Sequence, residues 1–485
     1  MKKQLINLFI IGFLFTVTLF AEWEPHVRLT FDPAHSYTSR NNARSVVASD
    51  DTVHVVWFDN REEDYQIYYK RSIDGGLTWE ADIRLTEAPE DSKYPSVAVS
   101  GPNVHVIWQD NRDGDYQIYY KRSTDGGVTW ETDTRLTYVS ANTWYSSVAS
   151  LNNTVHAVWY DSRDGNTEIY YKRSPDGGLT WEPDARLTND QATSRRASIA
   201  LSESNVHVVW EDDRDEDYYQ IYYKRSPDGG ATWETDTRLT NTLDDIYYPC
   251  IAVLGSIVHV VWYDNRDGDR EIYYKRSTDS GMIWETDVRL TNDPASSNYP
   301  SVTVSGSNVH LVWRDTRVGD DEVYYKHSID EGTTWGPDER LTYNPANLKY
   351  PCVAISNSSV HVVWQDIRDG NWEIYYKHNP TGSVGIDDHG FLPIDLTYLH
   401  VTPNPFNLST TIHYYLPESS DMLIRIYNVK GQLVKTLEKD KMKAGIHSVI
   451  WNGKDSNGNR VGSGIYFYKM KSNRYDKIKK MILIK

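Results

Sequence analysis

Short apolar runs and polar turns alternate along most of the chain with a fixed period. One period reads SVAVSG, NVHVIWQD, YQIYYKRS, the turn S-x-D-G-G-x-T-W and then TDTRLT. The runs are rich in Val, Ile, Tyr and Trp, and Gly, Asp and Asn bound them, which is the pattern of strands joined by tight turns. Each period therefore predicts four antiparallel strands and no helix.

The anchor V-H-V-V-W-x-D-x-R recurs with its histidine at His54, His105, His156, His207, His259, His310 and His361. The spacings are 51, 51, 51, 52, 51 and 51. A unit of this length with four strands is a propeller blade, so the repeat predicts a seven-bladed β-propeller. The phase predicts how the ring closes. WEPHVRLT (Trp23 to Thr30) matches WEPDARLT (Trp181 to Thr188), the end of a repeat, and the last repeat stops after EIYYKHNP without such a segment. The N-terminal strand is thus expected to complete the seventh blade and remove an open edge.

The repeated residues have structural roles to fill. In the turn, Asp can accept hydrogen bonds from nearby amides, the glycines allow positive φ, and Trp can cover the blade edge. Seven histidines, one per blade, lie too far apart for Zn–N bonds of about 2.0–2.1 Å, so no metal site is expected from them. The D-x-R pair (Asp110/Arg112, Asp161/Arg163, Asp264/Arg266) is expected to tie the second strand to the following hairpin. The loop DNRDGD (Asp110 to Asp115) lacks the order and distal Glu of a calcium loop and reads as a hairpin turn.

The turns at Asp74, Asp125, Asp176, Asp228, Asp279 and Asp330 resemble the Asp-box repeats of sialidase-like propellers over residues 22–382. The resemblance implies that the boxes lie on the face away from any active site. In sialidases three arginines grip the sugar carboxylate, with an R-I-P motif, a Tyr/Glu pair and an acid Asp. This chain has no R-I-P motif and seven repeats where sialidases have six blades, so no catalytic residue is assigned.

A site needs residues that break the repeat, because chemistry requires different groups at one point. Most blades begin with Tyr-Pro (Tyr94, Tyr299, Tyr350). The fourth begins with Arg195-Arg196, and its hairpin RDEDYYQ has an extra residue near Asp217–Tyr219. Its neighbours begin with Trp144-Tyr145 and Tyr247-Tyr248. Together Trp144, Tyr145, Arg195, Arg196, Asp217, Tyr219, Tyr247 and Tyr248 form the candidate ligand site, suited to a glycan by charge and stacking. The first blade, begun near Arg40 and Arg44, is irregular too. Neutral variation of exposed loops is the competing explanation.

Charge and chain ends narrow the context. The formal charge is −17; residues 396–485 hold 15 Lys+Arg against 6 Asp+Glu, and residues 22–395 carry −28. Such an acidic body repels phosphate backbones and argues against nucleic acid. Lys2, Lys3 and the apolar run from Leu5 to Phe20 read as a signal peptide over 1–21, with no transmembrane span beyond it. Cys250 and Cys352 occupy equivalent places in two repeats and read as small buried residues.

Residues 383–395 read as a linker. From 396 to 485, short alternating strands predict a small Ig-like β-sandwich. PNPFN, IYNVKGQLVKTL, WNGKDSNG and SGIYFYKM resemble a type A C-terminal sorting domain of type IX secretion substrates, and also the flagellar hook-capping Ig-like domain. This implies export by that machinery to the medium or the outer-membrane surface of a Gram-negative bacterium. The expected protein is a monomer without a cofactor. Its propeller binds a glycan or an extracellular protein. A sialidase-like exo-glycosidase or lyase, and a purely structural surface or adhesion protein, remain alternatives.

Overall fold

The computed structural model describes residues 23–39, 43–215, 218–343, 347–381, 399–402, 406–416, 420–443, 445–472 and 476–484. The expected signal peptide and linker lie outside them. The chain divides into two compact units, with the division between 385 and 386.

The first unit is a seven-bladed β-propeller of four-stranded antiparallel blades. The second blade shows the plan: an inner strand Ser92–Ser100, a second Asn103–Asp110, a third Gln117–Ser123 and a two-residue outer strand Thr134–Arg135. Blades stack face to face, so a second strand is buried on both sides. That is why VHVIW is a continuous apolar run rather than an alternating one. Each core cluster joins two blades. Val56, Phe58, Ile67 and Tyr69 of the first pack with Val97, Val104, Val106 and Trp108 of the second.

The ring closes through the N-terminus. The strand Val27–Arg28 pairs with Tyr376 and Tyr375 of the seventh blade, as Thr134–Arg135 pairs with Tyr120 and Tyr119 in the second. Trp23 meets Tyr325 edge-on at 5.0 Å. Leu29 enters the core shared by the seventh and first blades.

The repeated turn is a clasp between blades. Within it, the Thr129 hydroxyl and amide donate to Asp125 at 2.6 and 2.9 Å, and Ser123 donates at 2.7 Å. These bonds hold the Asp125 carboxyl well below the usual range, with the Thr129 hydroxyl contributing most. Trp130 then stands edge-on to Tyr69 of the preceding blade at 4.9 Å. Gly127 (φ +86°) sits so close to that tyrosine that a Cβ would lie 2.0 Å from its hydroxyl. Only glycine admits both the conformation and the approach. The Lys121 ammonium adds a bond to the Leu85 carbonyl at 2.6 Å.

Each anchor histidine is buried, with Nδ1 2.6–2.8 Å from the hydroxyl of a third-strand tyrosine, as in His156–Tyr171 and His105–Tyr120. Burial pushes His54, His105 and His259 down to about 4 and His156, His207, His310 and His361 to about 3, so all seven are neutral at pH 7. The D-x-R pair ties the second strand to the following hairpin as expected, the Arg112 amide in that hairpin donating to Asp110 at 3.0 Å, and it reaches further. Asp110 accepts from Trp108 Nε1 (2.9 Å), Ser92 Oγ (2.7 Å) and Arg112 Nη2 (2.7 Å), while Arg112 Nη1 reaches Asp133 before the outer strand at 2.9 Å. The pair thus links the second strand to its hairpin, to the inner strand and to the segment before the outer strand. Cys250 and Cys352 are buried free thiols.

The second unit is a small β-sandwich. One sheet holds Leu399–Thr402, Thr410–Leu416 and Gly445–Trp451; the other holds Leu433–Met442, Ser420–Asn428, Gly464–Lys471 and Asp476–Leu483. Ile412, Ile424, Ile426, Trp451 and Met481 form its core.

Candidate functional site

Hydrogen bonds fix which face carries what. The clasp turns bond to the turns between first and second strands, Gly126 N to Pro102 O at 2.8 Å and Gly177 N to Asn153 O at 2.7 Å. Both turn types therefore share one face. In antiparallel blades the starts of the inner strands and the ends of the second strands must lie on the other.

On that other face the inner strands of the second to seventh blades are bulged. The register shifts between Lys93/Ser96, Trp144/Ser147, Arg195/Ser198, Tyr247/Cys250, Asn298/Ser301 and Lys349/Cys352. A bulge re-aims a side chain. Each of these contains one residue with positive φ: Tyr94 (54°), Tyr145 (46°), Arg196 (54°), Tyr248 (54°), Tyr299 (54°) and Tyr350 (52°). For bulky residues this conformation costs on the order of 1–3 kcal/mol each, and such strain concentrates at functional sites.

The six side chains form a collar. Ring centroids are 4.7 Å apart for Tyr94–Tyr145, 4.9 Å for Tyr248–Tyr299 and 4.7 Å for Tyr299–Tyr350. Arg196 takes the fourth blade's place, its guanidinium 4.4 Å from the Tyr248 ring centroid. The collar is thus aromatic with one cationic break.

Glu211 organises that break. It lies on the second strand Asn205–Asp212 opposite Arg195 and is fully buried. It accepts from Arg195 Nε at 2.9 Å, from Arg196 Nη1 at 3.0 Å and from the Tyr248 amide at 2.7 Å. Burial works against the Arg196 charge, but Glu211 outweighs it and keeps Arg196 above its usual value. Two guanidiniums share one carboxylate, which leaves a net positive charge at the collar. Arg195 lies 3.6 Å from the Tyr219 ring centroid.

The predicted site residues gather around this point. Trp144 and Tyr145 both pack on Tyr160, at 5.6 and 5.9 Å, and Tyr247 and Tyr248 on Tyr263, at 5.5 and 5.7 Å. All are partly exposed. Asp217 lies outside the described residues, as does Arg40. Sequence reasoning missed Glu211 and the layer it belongs to, the variable residue of the anchor W-x-D: Phe58, Gln109, Tyr160, Glu211, Tyr263, Arg314 and Gln365. The signal was present, since this position varies inside an otherwise fixed motif.

Comparison with known proteins agrees with both units. Residues 407–476 match the FlgD Ig-like domain family. No curated protein matches the chain. Among solved structures, an ulvan lyase of polysaccharide lyase family PL25 is similar at TM-score 0.55 and 11% identity, over 73% of this chain and 95% of that one. The polysaccharide lyase Uly1 is similar at TM-score 0.54 and 9% identity, over 74% and 99%. A phage phi92 endosialidase has TM-score 0.45 at 9% identity, over 95% and 87%. At these identities the likeness is one of fold.

Proposed function

We propose that the propeller is a glycan-binding module whose site is the collar where the third, fourth and fifth blades meet. The carrying observation is the run of strained, bulge-borne side chains in which Arg196 replaces tyrosine. Tyrosine faces stack on sugar rings, and a guanidinium pinned by Glu211 offers its remaining donors to hydroxyls or acidic groups. Neighbours of the same fold that cleave polysaccharides support the reading by analogy only.

The arrangement favours binding over cleavage. Glu211, the repeat-breaking acid beside Arg195 and Arg196, is fully buried, with its oxygens taken up by two arginines and an amide. A glycan array probed with the full chain, with a parallel assay for released sugar, tests this. Binding without release is expected; release of sugar would replace it with the hydrolase or lyase reading.

The same proposal extends to the organisation and export of the chain. Residues 22–382 carry the Asp-box propeller and 396–485 the export signal, with 1–21 removed, giving a monomer released or held at a Gram-negative surface. The FlgD-like match and the basic C-terminal segment support this. Fusing 396–485 to a signal-bearing reporter in a type IX-competent cell should move it to the surface; retention in the periplasm would refute it.

A further inference from the structure

The first blade lacks a collar residue of the tyrosine type because its inner strand is broken. It runs as Ser36–Tyr37 and then Val46–Ser49, and seven residues of sequence, 38–44, separate the positions equivalent to Lys93 and Ser96, which only Tyr94 and Pro95 separate in the second blade. The last residue of that segment is Arg44. Its equivalents in the other blades are Pro95, Ser146, Ala197, Pro249, Pro300 and Pro351, none of them charged.

Arg44 lines a cavity of about 190 Å³ on the propeller axis. The inner strands of five other blades complete it, with Ala98, Ser150, Cys250, Thr303 and Ile355 among the walls. Among the described residues Arg44 is the one charged residue in that lining. Its charge is felt across the ring: burial pushes the Cys250 thiol of the fifth blade up to about 11, and Arg44 is among the groups opposing that rise. Among the described residues its guanidinium has no carboxylate partner. The Ser150 hydroxyl, shielded from solvent, also finds no protein partner there.

Arg44 is half-exposed, the surface around it in the cavity is mostly polar, and no described carboxylate neutralises it there, so the guanidinium is open to a soluble counter-ion. We propose that the axial cavity is an anion site in which Arg44 holds a small oxyanion, a carboxylate or a sulfate or phosphate group. The guanidinium fork matches two oxygens of such a group. The cavity has room for one such ion. The bound ion would tie the broken inner strand of the first blade to the rest of the ring. The cavity adjoins the collar through Cys250 and Ser301, two residues beyond Tyr248 and Tyr299, but the proposal does not depend on the glycan reading.

The test uses the full chain and three probes, sodium sulfate, phosphate and acetate, each titrated at constant ionic strength against sodium chloride. The thermal unfolding midpoint of the wild type should rise and saturate with at least one of them, as expected for a ligand that binds only the folded state. Arg44→Ala, which installs the fourth blade's residue, should lose the saturating part and keep only the linear salting effect shared by all variants. Arg44→Gln serves the same purpose if the alanine variant folds poorly. Saturation that persists in the folded variant, or a wild type that saturates with none of the three, would overturn the proposal.

Discussion

Arg196 and Tyr248 hold the same left-handed backbone conformation, φ +54°, in adjacent blades, and the guanidinium of one lies over the ring of the other. One repeat position thus carries tyrosine in most blades and arginine in one. Glu211 is the residue that makes the exchange tolerable, since it bonds to Arg196 and to the Tyr248 amide at once.

Removing that carboxylate leaves two half-buried guanidiniums sharing a site. Glu211→Ala should cost about 3 kcal/mol of stability, the scale for breaking a buried pair by deleting one partner. Urea unfolding reads this directly. In the double variant Glu211→Ala/Arg196→Tyr the loss should shrink, because tyrosine is the residue the collar uses elsewhere.

The clasp turns predict a second loss. Gly127→Ala places a methyl group 2.0 Å from the Tyr69 hydroxyl at φ +86°. Strain of about 1–2 kcal/mol from conformation alone is compounded by the clash. The thermal midpoint should fall, whereas Gly114→Ala, a turn glycine at φ +99° with open space around it, should fall by less.

Acidification should weaken the propeller in a defined window. The anchor histidines have folded pKa values of about 3 to 4 against about 6.5 unfolded. Below 6.5 the unfolded chain binds protons that the folded chain refuses, so stability is complete above pH 6.5 and is lost as the pH falls towards 4. The slope of unfolding free energy against pH across that range should correspond to uptake of several protons. A flat profile would contradict the burial of these rings.

Deleting residues 22–31 should leave the third strand of the seventh blade as an open edge and expose the core around Leu29. Loss of cooperative unfolding and association through that edge are expected, read by calorimetry and light scattering.

Blade number and closure were legible because the repeat is rigid: the N-terminal WEPHVRLT fits only the gap left by the last blade. The collar was legible in part. Trp144, Tyr145, Arg195 and Arg196 stand out as departures from Tyr-Pro, and Tyr247 as an extra aromatic before Tyr248-Pro249. Their backbone does not, since a residue before proline is expected to be extended, and Tyr94, Tyr248, Tyr299 and Tyr350 are left-handed instead. The bulge that forces this depends on pairing across strands, which no local pattern records. Glu211 hid in the variable place of the anchor, and Arg44 in the one blade whose repeat is interrupted.

The central claim is that binding occurs at the collar and not at the clasp face. The direct measurement is the affinity of the best array glycan, by titration calorimetry, for the wild type, Arg196→Ala and Leu179→Ala, the last an exposed residue of a clasp turn. The account predicts at least a tenfold loss for Arg196→Ala and an unchanged value for Leu179→Ala. Unchanged affinity in the arginine variant, or a comparable loss in the leucine variant, would contradict it.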